Sequence, residues 1–146
     1  MTDPFDLTRF VVAHESSYAS ALAELKRGRK TGHWIWFVFP QIAGLGSSAM
    51  SRHYAIRSVE EARAYLAHPV LGPRYRACVA ALAPHTGVSA EGVFGAVDAA
   101  KLRSSLTLFA EAAPDEPLFA DALTHWFGGE RDRRTLALLG LARARG

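Results

Sequence analysis

Apolar residues recur every three to four positions along most of the chain, which is the spacing of an amphipathic helix. Tyr18, Leu22 and Leu25 share one face of a helix expected over residues 17–27, and Gly28 is placed to end it. The same spacing predicts further helices over residues 4–13, 58–68, 69–82, 98–112, 115–127 and 132–142. With a short turn near Val93, about seven or eight helices are expected.

Residues that commonly cap helices stand where several of these patterns begin. Ser58, with Glu61 three positions later, forms a capping box. Asp3 followed by Pro4 is typical of a helix start. Further caps are expected at Ser89, Asp98, Asp115 and Asp132.

The stretch HWIWFVFP over residues 33–40 interrupts the helical periodicity. Aromatic and β-branched residues favour an extended chain, and Pro40 should end it. Residues 41–48 contain two glycines and two serines and are typical of a loop. The sequence therefore predicts a mainly α fold: a single compact multi-helix domain over residues 1–146, with at most a short extended aromatic segment.

Length and composition fit one globular domain, with 146 residues, of which 49% are hydrophobic and 21% charged. Cys78 is the only cysteine, which excludes an internal disulfide and fits a reducing compartment. The first residues lack the pattern of a signal peptide, and no apolar run approaches the roughly 18 residues of a membrane span. We therefore expect a cytoplasmic protein without membrane association. The net charge of +3 favours contact with an anionic ligand.

The aromatic stretch and the loop after it are the first candidate site. Its aromatic rings are either core residues or the walls of a pocket. In the second interpretation, the Gly-Ser loop offers free backbone N–H groups to a phosphate, although no Gly-Lys-Ser/Thr sequence follows as in a P-loop. The candidate ligand-binding residues here are His33, Trp34, Trp36, Gln41, Ser47 and Ser48.

Two further polar groups are candidates. Lys101, Ser104 and Ser105 lie at helical spacing on one side of a helix, where they could bind an anion, or Ser105 could act as a nucleophile. The alternative is that both serines bond back to helix carbonyls. Later in the chain, a basic cluster of Arg131, Arg133 and Arg134 is either exposed surface or a phosphate-binding fork, with Arg131 the preferred ligand-binding residue.

Metal and nucleic acid ligands are not expected. The six histidines are dispersed and no Cys-x-x-Cys is present, so neither a metal site nor a cofactor is predicted. The basic residues 26–30 precede an aromatic run that is too crowded with Ile and Val for a stacking platform, which makes nucleic acid an unlikely partner. No feature of the sequence specifies an oligomeric state.

The chain resembles a known family at several of these places. The phrases DPFDLTRFV, GHWIWFVFPQIAGLGSS, YAIRSVEEARAYLAHPVLGPR, KLRSSLTLF and DRRTLALL are similar to those of the uncharacterised bacterial family called domain of unknown function eighteen-ten (DUF1810). The resemblance covers nearly the whole chain. It implies a mostly helical single domain and brings no established activity.

A shorter resemblance links the chain to the NADAR superfamily, proposed N-glycosidases of NAD- and ADP-ribose-related compounds. Residues 51–54 (SRHY) resemble its early Ser-Glu-His-Tyr motif and would make Tyr54 a ligand-binding residue. Residues 126–132 resemble its late motif, which would make Trp126 a ligand-binding residue and Asp132 a catalytic one. Arg52 stands where that motif has a glutamate, and arginine cannot serve as the carboxylate that glycoside cleavage requires; Glu15 is a candidate substitute.

Two functional hypotheses follow from the sequence. In the first, a pocket between the aromatic segment and the Lys101 helix binds a small anionic metabolite, either nucleotide-like or ADP-ribose-like and phosphorylated, and the protein could be an N-glycosidase-type hydrolase. Trp34 or Trp36 would stack on the ring of this ligand. In the second, the protein is a non-catalytic binding or protein-interaction module whose aromatic residues are all core. Burial of Trp34, Trp36, Ser104 and Ser105 without an adjoining cavity would favour the second.

Overall fold

The computed structural model describes residues 3–145, with side chains as far as residue 140, and within that range the chain forms nine α-helices. They are α1 (Thr8–Arg27), α2 (Ile35–Val38), α3 (Ala49–His53), α4 (Val59–Ala67), α5 (Leu71–Leu82), α6 (Ala90–Phe94), α7 (Ala96–Ala112), α8 (Pro117–Phe127) and α9 (Arg133–Arg145). The prediction of a mainly α single domain is confirmed. Helix α6 corresponds to the short turn expected near Val93. Two short helices, α2 and α3, were not predicted, whereas the two helices predicted within residues 4–27 form the single helix α1.

The first helix is continuous, and the predicted break between residues 13 and 17 is wrong. No glycine or proline stands there, and His14 is buried along the same face as Phe10. Helix α1 begins at Thr8 rather than at Pro4, because the Asp3 carboxylate accepts the backbone N–H groups of Leu7 and Thr8. Gly28, in the left-handed region with φ 79°, ends it as expected.

The aromatic segment is not extended as predicted, because residues 35–38 form a single turn of helix. Burial decides this conformation, since Ile35, Phe37 and Val38 are all buried in the core. The turn before it is held by Glu24, whose Oε1 accepts the N–H groups of Thr31 and Gly32 at 2.7 and 2.8 Å. Tertiary packing therefore overrides the local preference for an extended chain.

Besides Asp3, three of the predicted caps are present, at Ser58, Ser89 and Asp132, and two are not. Ser58 and Ser89 accept backbone N–H groups of the turns that follow them, at 3.1 and 3.0 Å. Helix α7 begins at Ala96, two residues before Asp98, and α8 begins at Pro117 behind Glu116, so Asp98 and Asp115 are not caps. Asp98 instead forms an ion pair with the buried Lys30 at 2.7 Å.

Helix α7 forms the centre of the fold, with α2, α4, α6, α8 and α9 packed around it. From Ser104 to Ala110 every residue of α7 is buried. Aromatic rings fill the space beside it, with the Phe109 ring 4.3 Å from that of Tyr75 and 5.4 Å from that of Tyr65. The Cys78 thiol lies in this core, where burial raises its pKa to about 12 and leaves it unreactive.

No helix in the described part of the chain has the length and apolar character needed to cross a bilayer.

Candidate ligand-binding site

A cavity of about 400 Å³ opens between α2, α3, α7 and the start of α9. Its floor is built by the segment after α2, which pairs with the segment after α3 in a parallel bridge between Ile42 and Ile56. Two hydrogen bonds close this bridge, from the Ala43 N–H to the Ile56 carbonyl at 2.7 Å and from the Ile56 N–H to the Gln41 carbonyl at 2.8 Å. The cavity is lined by Trp36, Gln41, Ile42, Ala43, Gly44, Leu45, Gly46, Ser51, Arg52, Tyr54, Ala55, Arg57, Val97, Ala100, Lys101, Ser104, Asp132 and Arg134.

Four cationic side chains and one carboxylate are among the described residues that line this cavity. Arg52 lies on α3 and Arg57 follows the bridge, whereas Lys101 lies on α7 and Arg134 on α9. The side chains of Arg52 and Arg57 make no hydrogen bond or ion pair with another described residue. The Arg134 guanidinium donates one long hydrogen bond, 3.3 Å, to the Gly44 carbonyl. The cavity is therefore strongly cationic.

The positive charge of the Lys101 ammonium is only partly neutralised by neighbouring groups. Its Nζ atom lies 3.7 Å from Asp98 Oδ1 and 5.0 Å from the centre of the Trp36 ring. The other oxygen of Asp98, Oδ2, accepts a closer bond of 2.7 Å from Lys30, which is buried. Because Lys30 holds this carboxylate more tightly, Lys101 retains capacity to bind an anion in the cavity.

Asp132, the single carboxylate on this wall, belongs to a network of hydroxyl groups. Its Oδ2 atom accepts hydrogen bonds from the Thr135 N–H at 3.0 Å, the Thr135 hydroxyl at 2.5 Å and the Ser104 hydroxyl at 3.1 Å. Its own backbone N–H donates to the Thr107 hydroxyl at 3.0 Å. Asp132 thus caps α9, as its position in the sequence predicts, and joins that helix to α7.

The structure brings six of the sequence-predicted site residues to the cavity wall and leaves seven elsewhere. Those on the wall are Trp36, Gln41, Tyr54, Lys101, Ser104 and Asp132. Those that do not line it are His33, Trp34, Ser47, Ser48, Ser105, Trp126 and Arg131. Glu15, the suggested substitute acid, is exposed on α1 and does not line it either.

Several of the seven residues outside the cavity have other partners. Trp34 is buried and donates its indole N–H to Glu24 Oε1 at 3.0 Å. Ser48 caps α3 through the Ser51 N–H. The Ser105 hydroxyl, fully buried, lies 2.9 Å from the Tyr75 hydroxyl and therefore cannot serve as a nucleophile in this cavity. Arg131 pairs with Glu111.

Of the remaining three residues, Ser47 is exposed and does not line this cavity. Trp126 lines a separate, smaller apolar cavity of about 220 Å³ between α5 and α8. His33 is exposed. The described residues hold no group of three or more His, Cys, Asp or Glu side chains placed to bind a metal ion.

The wall residues that sequence reasoning missed include Arg52, Arg57 and Val97, and from one basic cluster it preferred a residue that does not line the cavity. Arg57 and Val97 gave no local signal, and Arg52 was weighed only as a lost glutamate. From the basic cluster at residues 131–134, the first turn of α9 directs Arg134 to the cavity, whereas Arg131 turns to Glu111. The parallel bridge, which involves residues 14 positions apart, is what brings Arg52 and Arg57 to the loop.

Fold and site together define a small helical protein with one cationic, partly aromatic cavity. Residues 4–139 match the family model described as "Protein of unknown function (DUF1810)", and the chain belongs to this family. The chain is similar to the conserved hypothetical protein Rv1873 of Mycobacterium tuberculosis, whose crystal structure has 51% sequence identity and a TM-score of 0.93. That similarity covers 94% of this chain and 99% of the other.

No curated protein matches the chain. The resemblance to the NADAR superfamily finds no support in these comparisons, which show the DUF1810 family instead.

Proposed function

We propose that this protein binds a small phosphorylated metabolite of nucleotide-like or ADP-ribose-like type in the cavity between α2, α3, α7 and α9. The observation that carries the proposal is the charge of the wall, on which Arg52, Arg57, Lys101 and Arg134 meet a single carboxylate. A site with this excess of positive charge favours a ligand with two or more negative charges.

Phosphate is the anionic group that suits these side chains best. Guanidinium groups bind phosphate oxygens through two parallel hydrogen bonds, and a lysine adds a compact point charge. The two arginines without partners among the described residues keep their donors available for such bonds. A cavity of about 400 Å³ lies within the ordinary size range of small-molecule sites.

The rest of the wall can receive an uncharged body attached to the phosphate. Leu45, Val97 and Ala100 supply apolar surface, and Tyr54 supplies an aromatic ring with a polar tip. Gln41 and Ser51 add side chains that both donate and accept hydrogen bonds. This mixture of apolar and polar groups matches a nucleoside better than it matches a bare inorganic anion.

The interaction-module hypothesis predicted buried aromatic residues without an adjoining cavity. Trp34, Ser104 and Ser105 are buried, but Trp36 is only partly so, and it and Ser104 adjoin the cavity. This arrangement favours a ligand site. N-glycosidase-type hydrolysis stays a prediction, with Asp132 as its candidate acid or base; its Oδ2 is taken by three donors, and its Oδ1 has no partner among the described residues.

The test is titration calorimetry of the protein with ADP and with ADP-ribose, supported by thermal shift. A ligand at about 100 times its dissociation constant should raise the unfolding free energy by about 2.7 kcal/mol. Replacing Arg134 with Gln should weaken binding about tenfold or more, because a charge-assisted hydrogen bond to phosphate is lost. If neither ligand binds the unaltered protein, the proposal is overturned.

The matched control is Arg133→Gln, which removes the same charge from the neighbouring position of α9. Arg133 is exposed and does not line the cavity, so its loss should change the affinity by less than about threefold through long-range attraction alone. Equal losses in the two variants would place binding outside the cavity and contradict the proposed site.

A further inference from the structure

The Trp36 ring already has a cation over one of its faces. The ring packs against the hydrophobic core, and the Lys101 ammonium lies over it, 5.0 Å from its centre. The indole nitrogen is buried and has no hydrogen-bond partner among the described residues. A planar ligand group that stacked on the face of Trp36 under Lys101 would have to displace this ammonium group.

We infer that Trp36 is a positioning residue for Lys101, and that the ring of the ligand lies against Val97 and Leu45 instead. This inference rests on the proposed function, because it assigns the two parts of a phosphorylated, ring-bearing ligand to different groups of residues in the same cavity. The sequence pattern indicated a different role, with either Trp34 or Trp36 as the stacking surface.

The electrostatics of the indole explain why tryptophan suits this role. The face of an aromatic ring is negative and attracts a cation, most strongly in tryptophan. Asp98 holds Lys101 only loosely, at 3.7 Å, while its other oxygen is bound to Lys30. The ring thus fixes the direction of a long, flexible side chain without neutralising its charge, and the ammonium remains available to a phosphate oxygen.

The part of the wall one helical turn before Lys101, together with the facing loop, offers an apolar surface for the ring. Val97 lies one turn before Lys101 on α7 and lines the cavity, and its side chain is 69% exposed. Leu45 lines the cavity from the loop after the bridge and packs on the edge of the core. A purine or similar ring placed between these residues would cover apolar surface that is otherwise exposed to water.

Inorganic pyrophosphate distinguishes positioning of Lys101 from stacking on the ligand ring, because it carries the charge of a nucleoside diphosphate without a ring. Calorimetric titrations of pyrophosphate and of ADP would compare the unaltered protein with the Trp36→Phe and Trp36→Leu variants. If Trp36 positions Lys101, pyrophosphate affinity should fall in the order Trp, Phe, Leu, with a total loss of about three- to fivefold. ADP affinity should fall by the same factors.

If Trp36 instead stacks on the ring of the ligand, the result differs. The Trp36→Leu variant would then lose affinity for ADP while its affinity for pyrophosphate stays unchanged. That result would overturn the inference and leave the proposed function intact. Failure of both ligands to bind the unaltered protein would overturn the proposed function itself. Phe is included because it retains the aromatic packing against the core if the smaller Leu unfolds the protein, and circular dichroism would check each variant.

Two further variants complete the test. In a Lys101→Met background, Trp36→Phe should no longer change pyrophosphate affinity, since the residue that Trp36 positions is absent. Val97→Ser should weaken ADP about threefold or more and leave pyrophosphate unchanged. A Trp36 effect that persists without Lys101 would contradict the positioning role of Trp36, and a Val97 effect on both ligands alike would contradict the placement of the ligand ring.

Discussion

The Ser104 hydroxyl lies 3.1 Å from Asp132 Oδ2 and joins the central helix α7 to the first turn of α9. Ser104 also lies 3.1 Å from the Ala100 carbonyl, so its hydroxyl shares its proton between the helix and the carboxylate. Asp132 and Arg134 both line the cavity from this turn. The link therefore sets the position of a cationic wall residue relative to Lys101 on α7.

Asp132→Ala should lower the free energy of unfolding by about 1–2 kcal/mol, because α9 loses its N-cap. Asp132→Asn should cost less than about 0.5 kcal/mol, since asparagine caps as well as aspartate. Urea denaturation measures both values. Asp115→Ala is the control: Asp115 is exposed and caps no helix, so its loss should stay within about 0.5 kcal/mol. Equal costs for the two alanine variants would contradict the capping role.

Arg9 and Glu61 form a buried pair, 2.7 Å apart, whose side chains are 9% and 2% exposed. Arg9 also donates to the carbonyls of His53 and Ala55, which anchors the segment between α3 and the bridge. Arg9→Met should lower the unfolding free energy by about 3–5 kcal/mol, because it leaves the Glu61 carboxylate buried without its cation. Chemical denaturation would measure the loss.

The control for this prediction is a more exposed pair of the same type. Arg76 bonds Glu116 at 2.7 Å, but the side chains are 37% and 27% exposed, so Arg76→Met should cost only about 1 kcal/mol or less. The double change of Arg9→Met with Glu61→Leu should cost less than Arg9→Met alone, because no buried charge is left unpaired. A double variant less stable than the single one would contradict this account.

The helical periodicity of the sequence predicts most of the helices in the fold. The long stripes of α1, α5 and α7 are strong signals because each repeats over three or more turns. The short helices α2 and α3 were missed for a physical reason. A single turn such as α2 is held by burial and by Glu24, which stands eleven residues before it, so no local preference reveals it.

Only part of the candidate site could be predicted from the sequence, for a related reason. Lys101 and Ser104 face one side of a helix, and Trp36 is unusual in its surroundings, so local pattern singled them out. Arg52 and Arg57 are brought to the cavity by the bridge between Ile42 and Ile56. The periodicity of the sequence does not predict this pairing. The assignment of Trp36 as a stacking surface failed to anticipate Lys101, which lies 65 residues later and covers the ring.

Glu24→Ala should lower the unfolding free energy by about 2–4 kcal/mol. Its Oε1 atom accepts the backbone N–H groups of Thr31 and Gly32 and the indole N–H of Trp34, and all three lose their acceptor in the variant. Thermal and urea unfolding measure the loss. Glu15→Ala on the same helix is the control: Glu15 is exposed, so its change should stay within about 0.5 kcal/mol.

Glu24 should also contribute to acid sensitivity. Burial raises the pKa of this carboxyl, but the hydrogen bonds from Gly32, Thr31 and Trp34 outweigh it, and the pKa lies below its ordinary value of 4.5. The carboxylate therefore contributes stability that is complete above about pH 4.5 and is lost as the pH falls through the lowered pKa. In the Glu24→Ala variant, the free energy of unfolding should decline less steeply below pH 4.5. An unchanged decline would contradict this role.

His14 should make stability depend on pH in a separate, less acidic window. Its Nε2–H donates to the Phe37 carbonyl at 2.7 Å, and its ring is buried beside Tyr18. Burial lowers the pKa of His14 below its ordinary value of 6.5; the bond to Phe37 opposes this shift, and the charge of Arg74 adds to it. The folded protein therefore keeps the ring neutral where the unfolded chain would take up a proton.

The direction in which the unfolding free energy changes with pH follows from proton uptake. Below pH 6.5 the unfolded state binds one more proton than the folded state, so the unfolding free energy falls with falling pH until the lowered pKa is reached. One such group gives a slope of at most about 1.4 kcal/mol per pH unit. Urea denaturation between pH 5 and 7 should show a shallower decline for His14→Gln than for the unaltered protein. The other histidines are common to both proteins, so identical slopes would mean that His14 gains its proton in the folded state as readily as in the unfolded chain.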